Sequence, residues 1–234
     1  MKRTITIVLI SLTLLLGLGL ILYPTISNHY TERHLSQVHT EFQEVVELTD
    51  QRELDAARAA AERFNRQMAE GFAQDAEDSL KDGEGAYDHL LDLAGNGIMA
   101  YVEIPGIDVM LPIYHGISEE VLQKGAGHMP NTSLPIGGKG AHAVLAAHSG
   151  MASARMFTDL ERLEKGDLFY IHVLGMTLTY EVDQILMVTP TQVDALRIDP
   201  EQDYVTLLTC TPYGVNTHRL LVRGHRVELL QENG

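Results

Sequence analysis

The run TLLTCTPYGVNTHRLLVRG, Thr206 to Gly224, contains the only cysteine of the chain, Cys210, with Arg219 nine positions further on. A thiolate is a nucleophile, and a neighbouring guanidinium favours that form and can hydrogen-bond to an oxyanion created at an attacked carbonyl. Acyl transfer by a thiol also needs a proton carrier for the departing amine, most often histidine. Among eleven histidines, His148 is set apart by its place: AVLAAHSG is a strand-like run that ends at this histidine, followed by Ser149 and Gly150. A side chain at such a strand end can face a cleft. His142 and His218 lie close by in sequence and are read as packing or supporting side chains. Residue type alone leaves Cys210 open to two readings, a small inert hydrophobe inside the fold or a reactive thiol.

The chemistry depends on elements that bring these residues together. If DYVTLLTC and RLLVRGHRVE form neighbouring antiparallel strands, Thr211 to His218 is their connection, with Pro212, Gly214 and Asn216 as turn residues. Cys210 and Arg219 then flank the loop as an opposed pair, about 5 Å apart at Cβ and on one sheet face. Other runs alternate in the same way. GIMAYVEIPGIDVMLPIYHG reads as two strands broken at Pro105-Gly106, and AHAVLAAHSG, DLFYIHVLG and MTLTYEVDQILMVTP as further strands. Short helical pieces are expected only near Ser118 to Gln123 and Ala152 to Leu163. Many short strands with few helices predict a mainly β fold, a closed or nearly closed barrel. TSLPIGG, Thr132 to Gly138, is expected to be a structural loop before the next strand.

Upstream of the barrel the character changes. Thr4 to Tyr23 is uncharged and, as a helix, about 30 Å long, enough to cross the hydrocarbon core of a bilayer. No good small-residue cleavage site follows, so an uncleaved anchor is expected, with Lys2 and Arg3 cytoplasmic and the remainder outside. Ser27 to Phe72 suits one or two helices, broken at ELTDQREL. Their apolar positions are Val38, Phe42, Val45, Val46 and Leu48, then Leu54, Ala57, Ala61 and Phe64, a helical stalk leaning on the main domain. The first half of Ala73 to Leu93 is acidic and glycine-punctuated, and reads as a connection. A formal charge of −15 argues against nucleic acid as a partner. No His-x-x-x-His or Cys-x-x-Cys spacing marks a metal site, and a lone cysteine in an exported chain has no internal disulfide partner.

TLLTCTPYGVNTHRLLVRG resembles the cysteine-to-arginine segment of the sortases, and among these most of all the class C, pilus-building ones. The likeness runs back through SARMFTDLERLEKGDLFYIHVLGMTLTYEVDQI, GAGHMPNTSLPIGGKGAHAVLAAHSG and GNGIMAYVEIPGIDVMLPIYHG, most of Gly95 to Arg226. The resemblance implies an eight-stranded β-barrel with short helices over residues 95–230. Before it come a stub and transmembrane anchor over 1–26, N-terminal helices over 27–72 and a linker or lid-like segment over 73–94. It implies a catalytic triad of His148, Cys210 and Arg219 and no cofactor. The partners it implies are proteins with a Leu-Pro-x-Thr-Gly-like sorting signal and an acceptor amine, from a pilin lysine in the pilus-building class. Thr189 to Asp203 corresponds to the region that shapes the substrate groove.

The chain departs from the class C pattern in having no proline between Pro24 and Pro105, hence no Asp-Pro-aromatic lid motif. Asp75, Asp78, Asp82 and Tyr87 fall in that stretch and are read as solvated linker residues. Many class C members also carry a second, C-terminal membrane segment, whereas this chain ends at Leu-Leu-Gln-Glu-Asn-Gly. Two alternatives stand beside pilin polymerisation: a sortase that attaches proteins to peptidoglycan, and a catalytically inactive barrel that binds sorting signals.

Overall fold

A computed structural model describes residues 2–71, 87–150 and 155–228. Eight strands form a closed barrel in the order β1-β2-β3-β4-β7-β8-β6-β5. They are β1 (Ile98–Ile104), β2 (Val109–His115), β3 (Ala126–His128), β4 (Ala141–Ala146), β5 (Leu168–Val173), β6 (Met176–Val188), β7 (Asp203–Thr211) and β8 (His218–Val227). Each run picked out by its alternation is a strand, and the turn at Pro105–Ile107 joins β1 to β2. β3 is the strand that alternation did not predict. It has three residues with a glycine at the centre, too few to show a period of two, and it is held by pairing with β2 and β4.

Two pairings run parallel, β2 with β3 and β4 with β7. The second places β4 beside a strand some sixty positions later in the chain, with Ala141 opposite Asp203 and Ala146 opposite Leu208. Side chains alternate across each strand. Ala143, Leu145 and Ala147, Val205 and Leu207, and Leu220 and Val222 all belong to the interior cluster. The intervening positions of β4, β7 and β8 therefore lie on the other face of the same sheet.

Two helices precede the barrel. α1 (Lys2–Leu48) is continuous and α2 (Gln51–Gly71) follows after the expected break. Phe42 is buried with Ile98 and Tyr101, and Val38 and Val46 pack beside them. Leu48, expected on that face, is instead 80% exposed, because it is the last residue of α1, where the chain turns away. From α2, Ala61 is buried in the main core with Leu54, Ala57 and Phe64 against it. Asn65 fastens this helix down: its amide donates to the Leu134 carbonyl at 3.0 Å and its carbonyl accepts from Leu134 N–H at 2.7 Å.

Among the described residues, no helix is long and apolar enough to cross a membrane. The stretch expected as an anchor, Thr4 to Tyr23, falls in the first half of α1, and the side chains of 8–11 and 20–21 are outside the described residues. Asp75, Asp78 and Asp82 of the lid-like segment also fall outside them.

Tyr87 corrects the reading of its stretch as solvated linker. It is half-buried, its hydroxyl donates to Nδ1 of His128 at 2.7 Å, and it accepts from Gly116 N–H at 3.3 Å. Its ring stacks on Phe64 of α2 and meets His115 edge-on. The flanking glycines and aspartates suggested a loop, and the ring is held by partners distant in sequence.

Candidate active site

On β4 the outward positions are His142, Val144 and Ala146; on β7 they are Tyr204, Thr206, Leu208 and Cys210; on β8 they are Arg219, Leu221 and Arg223. The register pairs His142 with Tyr204, Val144 with Thr206 and Ala146 with Leu208. Beyond the end of β4, Ala147 N–H still donates to the Leu208 carbonyl at 3.1 Å, and the Thr209 hydroxyl donates to the Ala147 carbonyl at 2.8 Å. His148 follows one residue after Ala147, on the side of β7 that carries Cys210 two residues after Leu208. On the other side, Cys210 is directly opposed to Arg219, which in turn faces Val188 of β6. Cys210 and Arg219 are thus a cross-strand pair on β7 and β8, and His148 lies two residues past the end of β4, the strand that runs parallel beside β7. The expected pairing of Cys210 with Arg219 is present, and the parallel β4–β7 pairing ends two residues before the histidine.

Cys210 is neither buried nor fully exposed. Its inward-facing neighbours Thr209 and Thr211 are buried, so the thiol sits on a rigid strand end with one face open. The Arg219 side chain donates from Nη1 to the carbonyls of Asn216 at 3.1 Å and His218 at 3.0 Å. Those contacts tether the guanidinium to the loop that it flanks. Within the loop, Val215 and Asn216 N–H both donate to the Pro212 carbonyl at 3.0 Å.

The histidine side of the site is held differently. His148 is 27% exposed, and its Nε2 lies 3.3 Å from Oε1 of Glu119. The His148 carbonyl accepts from Phe157 N–H at 3.0 Å, and Gly150 N–H donates to the Thr158 hydroxyl at 3.0 Å. Gly150 has φ +83°, and a Cβ there would lie 2.4 Å from the ring of Tyr213. Only glycine lets the Tyr213 ring approach the turn after His148 this closely while holding that backbone conformation. Met187, Val193, Tyr213 and Val215, near the ends of β6 and β7 and in the connections that follow them, are exposed apolar side chains.

His142 does not belong to this group. It is buried, its Nδ1–H donates to the Arg197 carbonyl at 2.9 Å, and its Nε2 accepts from the Thr206 hydroxyl at 2.7 Å. Burial lowers its pKa, so it stays neutral and ties the β6–β7 connection to the sheet. His218 is half-buried opposite Thr211, with Nδ1 hydrogen-bonded to Thr217. Among the described residues, no group of three histidine, cysteine, aspartate or glutamate side chains is placed to hold a metal.

Sequence reasoning missed Glu119, Gln123 and Tyr213. Ser118 and the following glutamates signal a helix start, but nothing in the spacing says that the first turn faces His148.

A sortase domain profile matches residues 102–227, more than half of the chain, so the protein belongs to the sortase family. Among its structural neighbours are class C sortases. Sortase C1 of Streptococcus agalactiae is 40% identical, with a TM-score of 0.75 over 85% of this chain and 100% of that one. Sortase C of Clostridium perfringens, solved with the C-terminal cell wall sorting motif, is 39% identical, with a TM-score of 0.70 over 83% and 100%. Sortase A of Streptococcus agalactiae is 31% identical over 117 residues, 49% of this chain; the match spans about half of that relative, 47%.

Proposed function

We propose that this protein is an extracytoplasmic class C sortase that cleaves a Leu-Pro-x-Thr-Gly-like sorting signal between threonine and glycine. It then joins the threonine to a lysine amine of a pilin. The observation that supports the reading is the pairing of Cys210 with Arg219 across β7 and β8, with His148 just past the end of β4, which runs beside β7. The Cys210 thiolate attacks the threonine carbonyl, and Arg219 hydrogen-bonds to the oxyanion. As the carbon–nitrogen bond breaks, His148 gives a proton to the departing glycine amine, leaving a thioester on Cys210. The acceptor amine attacks that thioester, loses its proton to His148 and expels the thiolate, so the enzyme returns to its starting state.

The exposed apolar side chains around the site suit the leucine and proline of the signal, and the Clostridium perfringens neighbour was solved with a sorting motif. Residues 95–230 are the catalytic unit, and the uncharged stretch Thr4 to Tyr23 is the membrane anchor, with Lys2 and Arg3 on the cytoplasmic side. The test is intact-mass analysis of the full chain in detergent with a Leu-Pro-x-Thr-Gly peptide, using hydroxylamine as acceptor to follow turnover. A thioacyl adduct present in the native chain and lost in Cys210→Ala supports the reading. A folded chain that forms no adduct and releases no product refutes it.

A further inference from the structure

The proton carrier of a thiol acyl transferase must keep one ring nitrogen turned to the reacting centre, and a third group commonly holds the other. In this chain that third group comes from α3 (Glu119–Leu122), a single helical turn between β2 and β3. The Ser118 hydroxyl accepts from Val121 N–H at 3.3 Å and fixes the start of the turn. Glu119 and Gln123, four positions apart, share one face of it. The Gln123 amide donates to Oε1 of Glu119 at 3.1 Å, and the same oxygen lies 3.3 Å from Nε2 of His148. The carboxylate is therefore held from behind while it faces the imidazole. Its neighbour Glu120 is engaged elsewhere, with Nζ of Lys124 at 2.7 Å.

We propose that Glu119, braced by Gln123, is a positioning residue for His148. Its Oε1 accepts from Nε2–H and leaves Nδ1 as the nitrogen that passes protons at the Cys210 thioester. The inference rests on the reading of His148 as the proton carrier. Glu119 of α3 is the carboxylate in contact with that imidazole, at 3.3 Å. It steadies the imidazolium that forms when the acceptor amine gives up its proton.

The carboxylate is 69% exposed, which limits its effect. Exposed ion pairs of this kind correspond to changes of about fivefold at most. In the full chain in detergent, Glu119→Ala is expected to lower kcat with a sorting peptide by about threefold to fivefold, with KM within about twofold. Glu119→Gln retains an oxygen acceptor and recovers part of the loss. Gln123→Ala keeps the charge but frees it, and gives a smaller fall. Glu120→Ala leaves turnover unchanged. Alkylation of Cys210 by iodoacetamide, which needs no sorting peptide, slows in the same order. A Glu119→Ala chain with native kcat and native alkylation rate overturns the proposal, as does a loss that Glu120→Ala reproduces. A native chain that forms no thioacyl adduct is a different result: it removes the transpeptidase reading, and the role given to Glu119 falls with it.

Discussion

His128 makes the fold sensitive to acid in a way that can be measured one residue at a time. It is fully buried at the end of β3, where Nε2–H donates to the Ser133 carbonyl at 2.8 Å and Nδ1 accepts from the Tyr87 hydroxyl at 2.7 Å. The bond that Nδ1 accepts requires the neutral ring, and burial pushes its pKa down from 6.5 to about 4. The folded state therefore binds fewer protons than the unfolded chain between those values, so stability is complete above pH 6.5 and declines as the pH falls toward 4. The whole interval corresponds to about 3 kcal/mol, and about 2 kcal/mol of it is lost by pH 5. His39, His115 and His142 are also shifted down by burial and add to the same slope. His128→Gln removes the titrating group while keeping a donor and an acceptor. Urea unfolding followed by circular dichroism at pH 7 and pH 5 is the assay. The variant is expected to be less stable at pH 7, yet to lose about 2 kcal/mol less than the native chain on going to pH 5. Parallel losses in the two proteins would refute the reasoning, because His128 would then titrate alike folded and unfolded.

Other substitutions test separate parts of the structure. Arg219→Ala is expected to cut turnover of a sorting peptide by about a hundredfold or more, the usual cost of losing one oxyanion donor. Arg219→Lys should restore little, since a point charge does not reproduce the fork that also reaches the Asn216 and His218 carbonyls; steady-state kinetics measure both. Tyr87→Phe leaves His128 Nδ1 and Gly116 N–H without their hydroxyl partner and should cost about 1–3 kcal/mol in chemical denaturation. Gly224→Ala would put a Cβ 2.5 Å from the buried Phe169 ring. It should lower stability by about 1–3 kcal/mol, read as a drop in Tm.

The barrel was legible in the sequence wherever a strand was long enough to alternate. β1, β2 and β4 to β8 each declare themselves, and the Pro-Gly-Asn loop between β7 and β8 made the Cys210–Arg219 pairing predictable. β3 was not legible, because a three-residue strand has no period to read. The parallel pairing of β4 with β7, which brings the strand before His148 beside the one that carries Cys210, leaves no local trace either; a parallel register is set by a long crossover rather than by a turn. Tyr87 was misread for a related reason. Its surroundings in sequence are glycine and aspartate, while its surroundings in space are Phe64, His115 and His128. Leu48 was misread because helical periodicity carries no information about where the helix stops.

The position of β8 between β7 and β6 has a consequence for how the enzyme comes into being. Cys210 is synthesised before Arg219, and until β8 enters the gap between its two neighbours the barrel has an open seam beside the thiol. Residues 218–227 close the barrel and bring the guanidinium to the cysteine in the same step. A chain not yet extended through β8 thus carries the cysteine without its arginine, and the two meet only in the completed fold.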